Sequence, residues 1–246
     1  MEKPNLNFLD YPIYNGDVAA IEYNRKCVVN TINQYSFCLA ENDSSFKYAL
    51  QKSDILLPDG VGITWAVKLL TGRKIKKIAG ADLHKHCLEA LNRTGGKCFY
   101  LGSSESTLKL IKQRLNREYP NILSGFHSPP YKPEFSQADN EQMIKAVNDF
   151  NPDVLFVGMT APKQEKWVME HKDSLRAGLI GSIGAVFDFY AGTVKRPNTL
   201  LINLKLEWFV RLLKEPKRMW RRYIYYGPIF IGAIWSKKMQ NRDNNR

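Results

Sequence analysis

Along the chain, short runs of apolar, β-branched or aromatic residues alternate with longer stretches whose apolar positions recur at helical spacing. The short runs are Cys27–Ile32, Ile55–Leu57, Cys98–Leu101, Ile122–Phe126, Val154–Val157 and Leu179–Ile183. Between them the spacing predicts helices over Val61–Leu70, Ala81–Asn92, Ser106–Glu118, Asp139–Phe150 and Gln164–His171. Each is long enough to be the crossover that parallel strands require. The expected fold is α/β, a mostly parallel Rossmann-like sheet with helices on both faces. Pro129, Pro130 and Pro133, enclosing Tyr131 and Lys132, read as an extended surface loop inside that fold.

The pattern changes near Arg196-Pro197-Asn198, where Leu, Trp, Arg and Lys begin to dominate. This places an α/β core at 1–197 and a basic, aromatic-rich, amphipathic helical appendage at 198–246. Of the net charge of +12, residues 205–246 carry +8. The appendage therefore faces something acidic, and nucleic acid, an anionic membrane or a phosphorylated substrate would each gain from Lys and Arg. Charge alone does not choose among them. At helical spacing Arg211, Lys214, Arg218, Arg221 and Arg222 share a face, unless Pro216 breaks the phase. Tyr223–Trp235 is apolar but short, flanked by cations and interrupted by Gly227-Pro228, so it reads either as an interfacial element or as a segment packed on the core. No apolar run is long enough to span a bilayer and no secretory leader is visible, so the expected location is the cytoplasm.

The four cysteines show no metal-type or paired spacing and read as core residues. His84 and His86, two apart, point to different sides of a helix, so they read as solvated histidines and not as a metal pair.

In open parallel sheets ligands sit beyond the carboxyl ends of the strands. Those ends here carry Asn30-Thr31-Ile32-Asn33, Pro58-Asp59-Gly60, Gly102-Ser103-Ser104, Gly158-Met159-Thr160 and Gly181-Ser182-Ile183-Gly184. Taken singly, each is explained by capping and turn formation. Their convergence on one edge points to a site. Gly102 leads into a helix whose N-terminus could receive a phosphate, or it is a capped turn. Asp59 stands either as a positioned base or as the cap of the helix starting at Gly60.

Six ordered segments resemble the signatures of the WecG/TagA/CpsF glycosyltransferases. They are Thr31-Ile32-Asn33, Leu57-Pro58-Asp59-Gly60-Val61-Gly62, Gly80-Ala81-Asp82-Leu83, Gly158 to Glu165, Phe187 to Gly192 with Arg196-Pro197, and Leu206-Glu207-Trp208 with Arg211 and Glu215-Pro216-Lys217-Arg218. The resemblance implies an inverting, metal-independent hexosyltransferase that needs no cofactor. It would move a sugar such as N-acetylmannosamine or its uronic acid from a UDP-sugar to an undecaprenyl-diphosphate-linked sugar, for cell-surface polysaccharide or teichoic acid. It makes Asp59 the general base, with Thr31 and Asn33 lining the same pocket. Gln164 falls in the Pro-Lys-Gln-Glu motif, and Gly181, Gly184 and Asp188 fall where the nucleotide is held. Gly102, Lys77 and Gly158 join the substrate-binding set, and Arg211, Arg218 and Arg221 are candidates for the diphosphates. No Asp-x-Asp pair occurs. The implied partners are the donor, the lipid-linked acceptor and the anionic inner face of the cell membrane, with no nucleic acid and the oligomeric state open.

Two departures stand out. Lys76-Lys77 replace an arginine before the Gly-x-Asp-Leu motif, keeping charge but losing a bidentate fork. Gly158-Met159-Thr160-Ala161-Pro162 replaces a more glycine-rich run. A nucleic-acid-binding module, from the basic tail, and a nucleotide-cofactor methyltransferase, from Gly102, are the competing readings.

Overall fold

The computed structural model describes residues 5–23, 25–194, 212 and 216–243, the side chains of 217, 218 and 241–243 excepted. Its eight strands are β1 Asn5–Phe8, β2 Tyr11–Tyr14, β3 Cys27–Ile32, β4 Ile55–Pro58, β5 Lys97–Gly102, β6 Leu123–His127, β7 Val154–Gly158 and β8 Leu179–Ser182. They form one sheet in the order β1-β2-β4-β3-β8-β7-β5-β6, parallel throughout except for the β1–β2 pair. The helices of the core are α1 Gln34–Ala40, α2 Ser44–Gln51, α3 Val61–Thr71, α4 Gly80–Thr94, α5 Glu105–Glu118, α6 Gln137–Phe150, α7 Lys163–His171 and α8 Ala185–Ala191. The α/β expectation holds, and the predicted strands and helices end within two residues of the observed ones.

Side-chain alternation along the strands divides the core. Cys27 and Val29 of β3, Tyr100 of β5 and Leu179 of β8 face a cluster closed by Leu83, Cys87, Leu108, Ile111 and Phe187 from α4, α5 and α8. Residues of the opposite phase face two clusters closed by α1, α2, α3, α6 and α7. Helix starts are set by local chemistry: Asn33, Asp43, Ser104 and Ser136 each accept a hydrogen bond from a first-turn N–H, satisfying donors that have no partner inside the helix.

All four cysteines are buried, as expected. The histidine reading is corrected. His84 is 3% exposed on α4, with Nε2 2.7 Å from the Tyr100 hydroxyl, and burial followed by the charge of Arg114 holds its pKa down to about 3. Its helix face is the one that α4 turns to the sheet, so it packs among Tyr100, Phe156 and Tyr190 and not in water. His86 is half-buried with Nε2 3.1 Å from the Ile21 carbonyl.

At the C-terminus α9 spans Pro216–Trp220, a π-helical turn covers Arg221–Tyr225, and α10 runs Tyr226–Asp243. The expected interruption at Gly227-Pro228 does not occur. Pro228 lies in the first turn of α10, directly after the π-helical turn, in which the Tyr226 N–H reaches the Arg221 carbonyl. Helix α10 packs on α1 and α3, burying Phe230 and Ile234 in the same cluster as Phe37 and Ile63. Its other side exposes Ile229, Ile231, Trp235 and Met239. Among the described residues no helix is long and apolar enough to cross a membrane.

Candidate active site

Strands β3 and β8 are hydrogen-bonded neighbours, yet the helices that follow them leave to opposite faces: α1 joins one core cluster and α8 the other. Such a switch point opens a crevice at the carboxyl ends of the strands. Thr31 stands at the end of β3, half-buried and registered against Leu57 of β4. Asp59 follows β4 directly, and its N–H donates to the Ile32 carbonyl at 2.8 Å, tying it to the end of β3. The cap of α3 is Gly60, at φ 119°, and not Asp59. Ile78 donates to the Pro58 carbonyl at 3.0 Å, which brings the segment holding Lys77 beside the same turn.

Asn33 stands beside the same turn, its Cβ 3.6 Å from where a Cβ on Gly60 would stand. Its side-chain oxygen accepts from the N–H groups of Tyr35 and Ser36, both at 3.0 Å, and so caps α1.

Across the switch point, Gly102 of β5 and Gly158 of β7 lie side by side. A Cβ on Gly102 would stand 2.6 Å from the Gly158 carbonyl oxygen, and one on Gly158 would stand 2.6 Å from the Phe187 ring. Glycine is required there for close packing of backbone and ring. The next turn is braced by Gln164, 5% exposed. Its oxygen accepts from the Met159 N–H at 3.2 Å and its amide donates to Glu165 Oε1 at 2.8 Å. A Cβ on Gly184 would meet the Gln164 oxygen at 2.6 Å. Gly181 is different, since its nearest neighbour would be Leu83 at an ordinary 3.4 Å. Asp188 lies half-buried in α8.

Glu165 and Lys163, unassigned by sequence, also shape this edge. Burial pushes the Glu165 carboxyl up to about 7. Lys163 stands 3.4 Å from the centre of the Phe135 ring and donates to the Lys132 carbonyl, pinning the proline-rich loop. Nothing in a Pro-Lys-Gln-Glu string distinguishes its buried glutamate from an exposed one.

The C-terminal segment reaches the site through α1. Tyr35, second residue of that helix, packs edge-on against Tyr226 at 5.1 Å, and the Arg222 guanidinium stands 4.8 Å above its ring. Arg221 is exposed, 5.9 Å from the Tyr226 ring. Arg211 and the Arg218 side chain lie outside the described residues. Among the described residues no three His, Cys, Asp or Glu side chains are grouped to hold a metal.

An open groove of about 700 Å³ lies at the other end of the strands, walled by Arg25, Asn148, Asp153, Arg176 and others. It is remote from every residue above. The crevice at the carboxyl edge is the one that gathers Thr31, Asp59, Lys77 and the glycine turns.

The sequence pattern of the glycosyl transferase WecG/TagA/CpsF family matches residues 9–244. The chain belongs to this family. It is a glycosyltransferase, and the match favours neither the nucleic-acid-binding nor the methyltransferase reading. The chain is similar to an N-acetylglucosaminyldiphosphoundecaprenol N-acetyl-beta-D-mannosaminyltransferase of Bacillus subtilis, 31% identical over 197 residues, 80% of this chain and 75% of that one. A protein of the same name from Staphylococcus aureus is 28% identical over 199 residues, 81% of this chain and 76% of that one. The match runs through both the crevice and the C-terminal helices.

Proposed function

We propose that this glycosyltransferase moves N-acetylmannosamine, its uronic acid or a similar hexose from a UDP-sugar to an undecaprenyl-diphosphate-linked sugar, with inversion. The names of the relatives support N-acetylmannosamine as the sugar and an N-acetylglucosaminyl-diphosphoundecaprenol acceptor. The observation that carries the reading is the placement of Asp59, held by its backbone at the switch point while Gly60 takes the helix cap. Asp59 accepts the proton of the acceptor hydroxyl as that oxygen attacks the sugar C1, and the C1–O bond to UDP breaks with its electrons leaving on the diphosphate. Thr31 lines the base. Lys77 and the N-terminus of α3 offset charge on the departing diphosphate, together with Arg211, Arg218 and Arg221 of the 198–246 appendage. Gly102, Gly158, Gly181, Gly184 and Asp188 shape the donor side, with Gln164 bracing it.

The outward apolar face of α10 beside Lys237, with Trp220, Tyr225 and Trp235 exposed, supports attachment of the appendage to the anionic inner face of the membrane, where the lipid-linked acceptor resides. Incubation with UDP-N-acetylmannosamine and a short-chain prenyl-diphosphate N-acetylglucosamine, with products identified by mass, tests the reaction. Asp59→Asn keeps shape and removes basicity, so turnover should fall by ~10²–10⁴-fold. A variant turning over within a few-fold of wild type, with chemistry rate-limiting, removes Asp59 from this role.

A further inference from the structure

The Asp-Gly-Val-Gly turn after β4 is fitted against a side chain that no sequence motif singled out. Gln34 opens α1, and its Oε1 lies 3.3 Å from where a Cβ on Gly60 would stand and 3.2 Å from where one on Gly62 would stand. Its own Cβ is 3.4 Å from the latter position. The Gln34 side chain therefore lies along the turn that begins at Asp59, in space that a side chain at 60 or 62 would need.

Its amide is unused. Among the described residues Gln34 makes no hydrogen bond, ion pair or ring contact. The neighbouring polar side chain, Asn33, is occupied in capping α1. Gln34 is half-buried, so water reaches the amide and a ligand can replace that water. An amide offers a donor and an acceptor side by side, the complement of a sugar's adjacent hydroxyls or of an acetamido group.

Gln34 follows β3 and so stands between the Asp59 turn after β4 and the turns on β8 and β7. The helix it opens packs beneath the C-terminal helix through Tyr35–Tyr226 and Phe37–Phe230, the segment proposed above to meet the membrane that carries the acceptor. We infer that Gln34 is a substrate-contacting specificity residue whose amide hydrogen-bonds the acceptor sugar next to the hydroxyl that Asp59 deprotonates. This rests on the reading of Asp59 as the base.

The test measures acceptor KM, donor KM and kcat for Gln34→Ala, Gln34→Glu and Asp59→Asn, with UDP-N-acetylmannosamine and a short-chain prenyl-diphosphate N-acetylglucosamine. Thermal stabilisation by UDP serves as a check on the donor side. Gln34→Ala should raise acceptor KM about 3- to 30-fold, the loss of one or two hydrogen bonds, and leave donor KM and UDP stabilisation unchanged. Gln34→Glu, nearly isosteric, brings a second carboxylate beside Asp59 and should move the acidic limb of the pH–rate profile upward. Acceptor KM within two-fold of wild type in Gln34→Ala, or an effect on donor KM alone, overturns the assignment. If Gln34→Ala unfolds, an unmoved acidic limb in Gln34→Glu overturns it instead. An active Asp59→Asn enzyme defeats the underlying reading, whereas an inactive one with a silent Gln34→Ala defeats the inference about Gln34 alone.

Discussion

Replacing Glu165 by glutamine should stabilise the protein increasingly as pH rises. Glu165 is 2% exposed at the first turn of α7. One oxygen accepts from Gln164, and the other, Oε2, has no partner among the described residues. Burial is the main cause that pushes its pKa from an ordinary 4.5 up to about 7, against the opposing bond from Gln164. The unfolded chain thus releases this proton near 4.5 while the folded one keeps it to about 7. Between those values the folded state binds more protons, so stability is greatest below the window and is lost as pH rises through it. Integrated from pH 5 to pH 8, the loss is roughly 2–3 kcal/mol. Glutamine carries no charge to desolvate and still accepts from Gln164. Its advantage over wild type should therefore grow by roughly 2–3 kcal/mol across that interval. Urea unfolding of both proteins at the two pH values measures it. Other titrating groups, the buried His84 among them, are common to both proteins and cancel in the difference. A gap between variants that shifts by less than about 0.5 kcal/mol refutes burial as the source of the perturbation.

Two paired substitutions separate tight packing from ordinary contact or exposure. Gly158→Ala must displace the Phe187 ring, which is 1% exposed, and should cost about 1–3 kcal/mol in unfolding stability, whereas Gly181→Ala meets only ordinary contacts with the buried side chains of Leu83, Leu179 and Phe156 and should stay within ~1 kcal/mol. Equal costs for the two variants refute this account of the glycines. Phe230→Ala, at a residue 2% exposed against Phe37, should cost about 3–5 kcal/mol by chemical denaturation. Ile231→Ala, one position on and 52% exposed, should leave stability within ~0.5 kcal/mol and weaken sedimentation with anionic vesicles; unchanged vesicle binding counts against the membrane face.

Periodicity identified the central sheet because β3, β5, β7 and β8 are nearly continuous buried apolar runs separated by helices of nine or more residues. It missed elements whose cause is local or tertiary. The β1–β2 hairpin turns on Leu9 and Asp10, both at positive φ, a geometry that Asn-Gly or Asp-Gly would have advertised. Helices α1, α2 and α8 have seven or eight residues, too short to show a period, and depend on caps and packing. Within the site, the glycines and Asp59 were legible as strand-end residues. What they do was not: that the Asn33 side chain caps α1 and that Gln164 turns inward to Met159 depend on side-chain directions that sequence does not specify. The burial of His84 escaped for a related reason, since spacing tells that two histidines diverge without telling which one meets the sheet.

The C-terminal helix shows why its two sequence interpretations did not compete. Packing on the core and contact with an interface each need only one face of a helix, and α10 has two apolar faces. Tyr226, Phe230 and Ile234 follow one another at four-residue spacing and settle against α1 and α3. That packing is complete without Ile231, Trp235 and Met239, each about half exposed, at spacing that keeps them together on another face. A core-packed helix has no structural need for such a stripe, and water disfavours it. Among the described residues nothing covers this stripe, and beside Lys237 and Lys238 it suits the apolar, anionic membrane surface proposed above. Because the inward face of the same helix grips Tyr35 and Phe37, one turn from Asn33 and Gln34, whatever α10 rests on is held at a fixed distance from the Asp59 turn.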